Sequence, residues 1–232
     1  MKNWGLGIIA CLMALSAQAN IIITGTRVIY PANQKVVNVQ LTNETDSPAL
    51  MQAWIDDGDE YSSPSSISAT RVPFIIVPPV SRMEPREGQT LRINYTAKGE
   101  LPKDRESIFY LNVLDIPPKP KKNELESNNY LQIALRSRIK LFYRPALTIE
   151  PHEAYKAVQW QKTSTGLKIN NQTPYFITFS QTTVNNKLVE KIGMLAPFSS
   201  KEIKHKVQTG QKVHWTVIND FGGDEKGESF IK

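Results

Sequence analysis

Only one of the 232 residues is cysteine and only three are histidine. Cys11 falls in an N-terminal segment read below as a leader. The chain that follows can therefore form no disulfide and offers no thiolate nucleophile, so its stability must come from burial. His152, His205 and His214 lack metal-ligand spacing and have no cysteine to support them. There is no GxSxG elbow, no glycine-rich nucleotide loop and no convincing carboxylate pair. Asp56, Asp57 and Asp59 lack the remaining positions of a calcium loop and read as a solvated turn. These absences argue against an enzyme and against any metal or cofactor.

Long apolar runs are equally scarce. One stretches from Leu6 to Leu15, preceded by Lys2 and followed by Ala17-Gln18-Ala19, small residues where a signal peptidase reads. Residues 1–19 are therefore expected to be a signal peptide, with the exported chain starting near Asn20. That run is too short to span a bilayer, and no later segment approaches the roughly 20 apolar residues a span needs. Without Lys2 the chain carries 27 basic against 22 acidic residues, a net charge of +5. The excess is modest and shows no RNP-type aromatic pair, recognition helix or zinc-finger spacing, so nucleic acid is not an expected partner. It gathers instead at 119–122, read as a solvated loop, and at 136–144, interleaved with apolar residues. Asn43, Asn94 and Asn171 each begin an Asn-x-Thr sequon, chemically able to accept a glycan.

What the chain has in abundance is alternation. Val37, Val39 and Leu41 alternate with polar residues, as do Leu91, Ile93 and Tyr95, while 50–55, 74–77 and 108–116 read as further strands. Pro117-Pro118 stops the last of these, since proline supplies no ladder donor. After a mostly polar interval at 119–129, a strand is predicted over 131–143, roughly 44 Å at the usual rise per residue and long for a globular strand. Arg144-Pro145 marks a boundary. The second half repeats the pattern at 158–160, 167–169, 175–179 and 213–218, with a hairpin turn at 185–187, turn-forming residues at 219–227 and a last segment at 228–231. Helical periodicity is almost absent. The expectation is an all-β protein of two sandwiches, with an N-terminal domain over 20–143, a linker over 144–147 and a C-terminal domain over 148–232. Trp54, Phe109, Leu111, Trp160 and Trp215 are expected in the cores.

Several longer motifs stand in order along this chain. They are Gly25-Thr26-Arg27-Val28-Ile29-Tyr30-Pro31, Phe109-Tyr110-Leu111-Asn112-Val113, Ile116-Pro117-Pro118, Leu131-Gln132-Ile133-Ala134-Leu135, the run Arg138 to Pro145, and Ile218-Asn219-Asp220-Phe221-Gly222-Gly223. Together they resemble the periplasmic chaperones of chaperone–usher pilus assembly. The resemblance implies two immunoglobulin-like domains in an L or boomerang, located in the periplasm of a Gram-negative bacterium. It implies two partners: pilus subunits with an incomplete immunoglobulin-like fold, and an outer-membrane usher. It makes Arg27 and Lys140 the anchor for the client's C-terminal carboxylate. Leu131, Ile133 and Leu135 become the apolar row donated to the client, and Glu106, Arg144 and Asp220 an interdomain charge network. The short, cysteine-free interval before Leu131 resembles the short-loop branch of the family. A self-capped homodimer is one form open to the free protein.

Spacing alone leaves alternatives standing. Leu131, Ile133 and Leu135 fit a strand that packs its own domain as well as one that lends its edge. Arg27 and Lys140 are far apart in sequence and read equally as ordinary surface charges, as do Glu106, Arg144 and Asp220. An odd-numbered Leu131 and an even-numbered Lys140 point to opposite faces of an unbulged strand, unless a bulge shifts the phase. A secreted β-sandwich adhesin or fibre subunit is the alternative function.

Overall fold

The computed structural model describes residues 21–65, 72–97, 99–119, 131–190 and 192–232. The leader assignment and most of the 119–129 interval lie outside these residues. The N-terminal half builds two sheets. The first has the order β1 (Ile21–Ile23), β3 (Val36–Asn43), β7 (Gly88–Tyr95) and β5 (Phe74–Val77); the second has β2 (Arg27–Pro31), β9 (Leu135–Arg144), β8 (Ser107–Ile116), β4 (Ala49–Asp56) and β6 (Val80–Met83). The chain leaves one sheet at Ile23 and joins the other at Arg27. Between them Gly25 takes a φ of +100°, a conformation that a side chain would resist. β2 then runs parallel to β9, beginning at the rung Arg27↔Lys140.

Alternation decides which side chains meet between the sheets. Leu41, Met51, Leu91, Ile93, Leu111 and Leu141 are all fully buried there. Phe109 is buried there as expected; Trp54 is buried too, but outside this core, on the same side of β4 as Asp56, where its indole N–H donates to Ser62 Oγ.

The C-terminal half forms a separate core around Trp160, Leu167, Ile169, Ile177, Val213, Trp215 and Val217. One sheet is β10 (Gln159–Lys162), β11 (Leu167–Asn171) and β15 (Ser199–Ile203). The other runs β13 (Lys187–Leu188), β12 (Ile177–Val184), β16 (Lys212–Ile218) and β17 (Asp224–Phe230), with β14 (Gly193–Leu195) also paired to β12. Two elements depart from expectation. A short helix, α1 (Pro151–Lys156), buries Ala154 and Tyr155; proline at its start, Glu153 in its first turn and Lys156 in its last were its sequence signals. Residues 224–227, read as turn, belong to β17. Gly227 faces Trp215 across the ladder, and a Cβ there would sit 2.2 Å from the indole. The glycine marks a space taken by a tryptophan ring, not a turn.

The sequons at Asn43 and Asn171 prove to be structural. Both side chains are fully buried. Asn43 accepts from the Thr45 amide and hydroxyl and donates to Ser47 O; Asn171 does the same with Thr173 and donates to Tyr175 O and Ala196 O. Each domain uses the Asn-x-Thr pattern to tie a turn at a strand end.

Candidate functional site: a half-paired strand and a cationic cleft

β9 is paired differently along its length. From Lys140 to Tyr143 it lies between β2 and β8, and β2 continues to Arg144. From Leu135 to Ile139 it keeps β8 on one edge, through rungs from Asp115↔Leu135 to Leu111↔Ile139, and among the described residues no strand covers the other edge. The strand does not reach back to 131 as predicted. Its partner runs out, because β8 ends at Ile116 and Pro117-Pro118 cannot continue the ladder. Residues 131–134 lie outside any strand, and Gln132 Nε2 donates to Pro117 O at 2.6 Å. Leu131, Ile133 and Leu135 are 79%, 59% and 47% exposed. None of the three is used to pack this chain's own core.

The question of phase resolves without a bulge, since the β8–β9 ladder is in unbroken register. Leu141 and Tyr143 enter the core, Ile139 packs against its margin, and Leu135 continues that face beyond it. Lys140 belongs to the opposite face with Phe142 and Arg144, which turn toward the second domain. Phe142 meets the Phe176 ring at 5.7 Å, and Lys140 Nζ lies 3.4 Å from Thr178 Oγ1. The odd row and the even row therefore serve different surfaces.

Arg27, the first residue of β2, is the cross-strand neighbour of Lys140. Its Nη1 donates to Ile218 O at 2.9 Å and its guanidinium lies 5.7 Å from the Phe142 ring. Its Nε is buried without a hydrogen-bond partner among the described residues. An unsatisfied buried guanidinium N–H is costly. Burial lowers the Arg27 pKa, against the opposing pull of Tyr155, Asp220 and Glu106. A carboxylate beside Arg27 and Lys140 would gain charge-assisted bonding to the two cations. A cavity of about 370 Å³ also opens beside Arg27, but its lining includes Phe221 and Asp220 and not Lys140, so it is not ground shared by the two cations.

Glu106, Arg144 and Asp220 are brought together. Arg144 donates through Nε to Glu106 at 2.8 Å and through Nη1 and Nη2 to the two Asp220 oxygens at 2.6 and 2.7 Å. Glu106 also accepts from the Phe176 amide at 2.8 Å, and its own amide donates to Pro174 O. A carboxylate from one sandwich thus clamps the backbone of the other. Burial pushes the Glu106 carboxyl above its ordinary value, opposed first by the charge of Arg144. Burial works against the charged form of Arg144 too, but hydrogen bonds and charges from Asp220 and Glu106 prevail and hold it cationic. A buried ion pair offsets its desolvation only where the remaining lone pairs and donors are bonded, as Glu106 is by the Phe176 amide.

Asp56 departs from the reading of a solvated acidic turn. It is 2% exposed and lies against the outer face of β9. Arg138 donates to both of its oxygens, at 2.7 and 3.1 Å, and Asn112 Nδ2, Ser62 Oγ and the Gly58 amide complete its shell. Burial alone would raise its pKa; the bonds from Arg138, Asn112 and Gly58 outweigh that and keep the carboxyl below its usual value. The sequence signal was Arg136 and Arg138 on one face of a strand, cations that an acidic residue on a neighbouring strand can pair. Among the described residues there is no group of three or more His, Cys, Asp or Glu able to hold a metal ion. No described helix is long and apolar enough to cross a membrane.

Comparison with known proteins identifies the family. Residues 20–148 match the family described as pili and flagellar-assembly chaperone, PapD N-terminal domain, and residues 153–229 match the pili assembly chaperone PapD, C-terminal domain. The chain is 49% identical over 224 residues to chaperone protein HifB of Haemophilus influenzae, covering 95% of this chain and 92% of that one. It is 43% identical over 226 residues to the probable fimbrial chaperone YadV of Escherichia coli K12, covering 92% and 91% of the two chains. A crystal structure of a YadV chaperone superposes with a TM-score of 0.75 at 41% identity, over 91% of this chain and 100% of that one. The Salmonella enterica SafA pilin in complex with the SafB chaperone gives 0.77 at 26%, over 92% and 97%. These relatives favour a chaperone over the adhesin or fibre-subunit alternative. With both domains matched in order, the chain belongs to the PapD-like family of pilus-assembly chaperones, which are not enzymes.

Proposed function

We propose that this protein works in the periplasm, where it captures pilus subunits with an incomplete immunoglobulin-like fold and delivers them to an outer-membrane usher. The observation that carries this reading is the bare edge of 135–139, ending at the Arg27↔Lys140 rung. An unfinished sandwich exposes an apolar groove between two open strand edges and is prone to aggregate. An extended donor answers both defects: its backbone completes the ladders while alternate side chains fill the groove. Leu131, Ile133 and Leu135 have that alternation and are already exposed. Each, fully buried, contributes about 2 kcal/mol of apolar transfer, before association and ordering costs.

Arg27 and Lys140 would hold the subunit's terminal carboxylate and so set where pairing begins. From Lys140 back to Leu131 an extended chain covers roughly 30 Å, about the length of a sandwich strand. A slip of one residue would turn the wrong side chains into the groove, so a fixed starting point matters. In this reading residues 20–143 form the donating domain and 144–147 the linker. Residues 148–232 form the second wall of the cleft, held at its angle by Glu106, Arg144 and Asp220. In the free protein the same apolar row favours a self-capped homodimer. The complex named for SafA and SafB supports subunit binding by analogy.

The test is recovery of periplasmic pilin subunits by pull-down with mass spectrometry, for wild type and Lys140→Ala. The expected outcome is loss of stable subunit recovery while circular dichroism shows the variant folded. Undiminished recovery would remove Lys140 as the anchor.

A further inference from the structure

The free half of β9 has a ladder on one edge only, and the structure shows a second means of support on its outer face. Arg136 and Arg138 both reach from this half across β8 toward β4 and the loop after it. Arg138 ends on Asp56; Arg136 donates to Asn112 Oδ1 at 2.9 Å, Glu60 O at 2.8 Å and Ser62 Oγ at 3.2 Å. Asn112 and Ser62 in turn both donate to Asp56. The Arg138 guanidinium lies 3.6 Å from the Tyr110 ring centroid, and that of Arg136 lies 5.0 Å from Trp54. Each arginine is therefore gripped at its planar face and at its donor edge, which leaves its rotamer little freedom. The carboxylate that unites them is almost wholly shielded from water and accepts from five donors.

We propose that Asp56 is a positioning residue for the donated strand: through hydrogen bonds from Arg138, and through Asn112, Ser62 and a 3.7 Å ion pair to Arg136, it holds residues 135–139 extended on β8 before any client arrives. This rests on the function proposed above, in which that edge is lent to a subunit. A strand half with one bare edge lacks the restraint that β2 gives residues 140–144. If it frayed, the entropy of straightening it would fall on the capture step and slow association. Side-chain struts on the outer face restrain it without occupying the bare edge or the apolar row, both of which the client needs. That division matches the parity of β9, with apolar contacts on the odd face and struts on the even one.

The experiment uses the full exported chain as wild type, Asp56→Asn and Arg138→Lys. Asp56→Asn keeps the side chain's shape but loses its charge and one acceptor; Arg138→Lys keeps the charge but loses the fork. Hydrogen exchange is followed at 135–139 and at 141–143, without client. Association is followed with urea-denatured pilin subunits that the wild-type chain retains from periplasm. The expected result for Asp56→Asn is at least tenfold loss of protection confined to 135–139 and at least tenfold slower association. Arg138→Lys should fall between it and wild type. Unchanged protection at 135–139 overturns the proposal, as does equal loss at 141–143, which would mark a general structural role. Lost protection with unchanged association also overturns it. If the wild type retains no subunit, the functional reading fails in that arm alone, and the exchange result still decides whether Asp56 holds the edge.

Discussion

The two halves of β9 share one strand, one register and one partner in β8, yet they do opposite things. In the half from Lys140 to Arg144, β2 closes the second edge, and Leu141 is fully buried in the domain's core. In the half from Leu135 to Ile139 that edge is open, and the inward-phased Leu135 is 47% exposed. Nothing in the residue types separates them: a leucine on the same face is core in one half and surplus in the other. The difference lies in where β2 starts. Because the chain crosses between sheets at Gly25 and joins β9 only at Arg27, residues 135–139 have, among the described residues, no strand on that second edge. A sandwich can carry an exposed edge as long as its own core is complete without it.

The largest effect should come from testing the contrast directly. Leu141→Ala is expected to cost about 2–5 kcal/mol in urea unfolding, the range for opening a cavity at a fully buried leucine. Leu135→Ala should change stability by less than about 0.5 kcal/mol, as surface truncations do, while lowering subunit yield. Equal destabilisation by the two would mean that the free half belongs to this chain's own core. A finer cut places a charge in the apolar row. Ile133→Asp should weaken capture by forcing a carboxylate toward an apolar groove, with unfolding unchanged; a normal yield of complex would contradict the donated row.

The smallest expected effect separates the two buried carboxylates on either side of the contrast. The Asp56 pKa is depressed in the folded chain, so its stabilising contribution is present above the ordinary carboxyl value of about 3.9 and is lost as pH falls through the folded value. The Glu106 pKa is raised, so the sign reverses: its contribution is full below its unfolded value and declines as pH rises through the folded one. Acidification below about pH 4 should therefore loosen residues 135–139, while the Glu106 clamp does not weaken through this ionisation. Hydrogen exchange profiled against pH would show protection at 135–139 falling in the wild type and no such acid dependence in Asp56→Asn. The same profile in both would show that Asp56 is not the group responsible.

Much of the fold was legible because alternation is a local property. Val39 and Leu41, or Leu91 and Ile93, announce a strand with one apolar face wherever they sit, and both pairs are buried. The pairing of Arg27 with Lys140 was reachable only through resemblance, since no local pattern links residues so distant. The start of β9 was misjudged because a strand lasts as long as its partner does, and β8 ends at Ile116. Asp56 was misread because an Asp-Asp-Gly-Asp turn looks solvated; its burial depends on two arginines that arrive from a strand late in the domain. Gly227 and the Asn-x-Thr turns were ambiguous for a related reason, their meaning being set by Trp215 across a ladder and by carbonyls around a buried amide.

Composition and periodicity by themselves determined that this chain would be built of strands in two sandwiches without an internal disulfide, because side-chain alternation and a single cysteine need no knowledge of neighbours. Which apolar row is core and which is left over, and which cations share a cleft, only the tertiary structure decided. Exposure and proximity are properties of strand partners, and partners are chosen by residues far away in the chain.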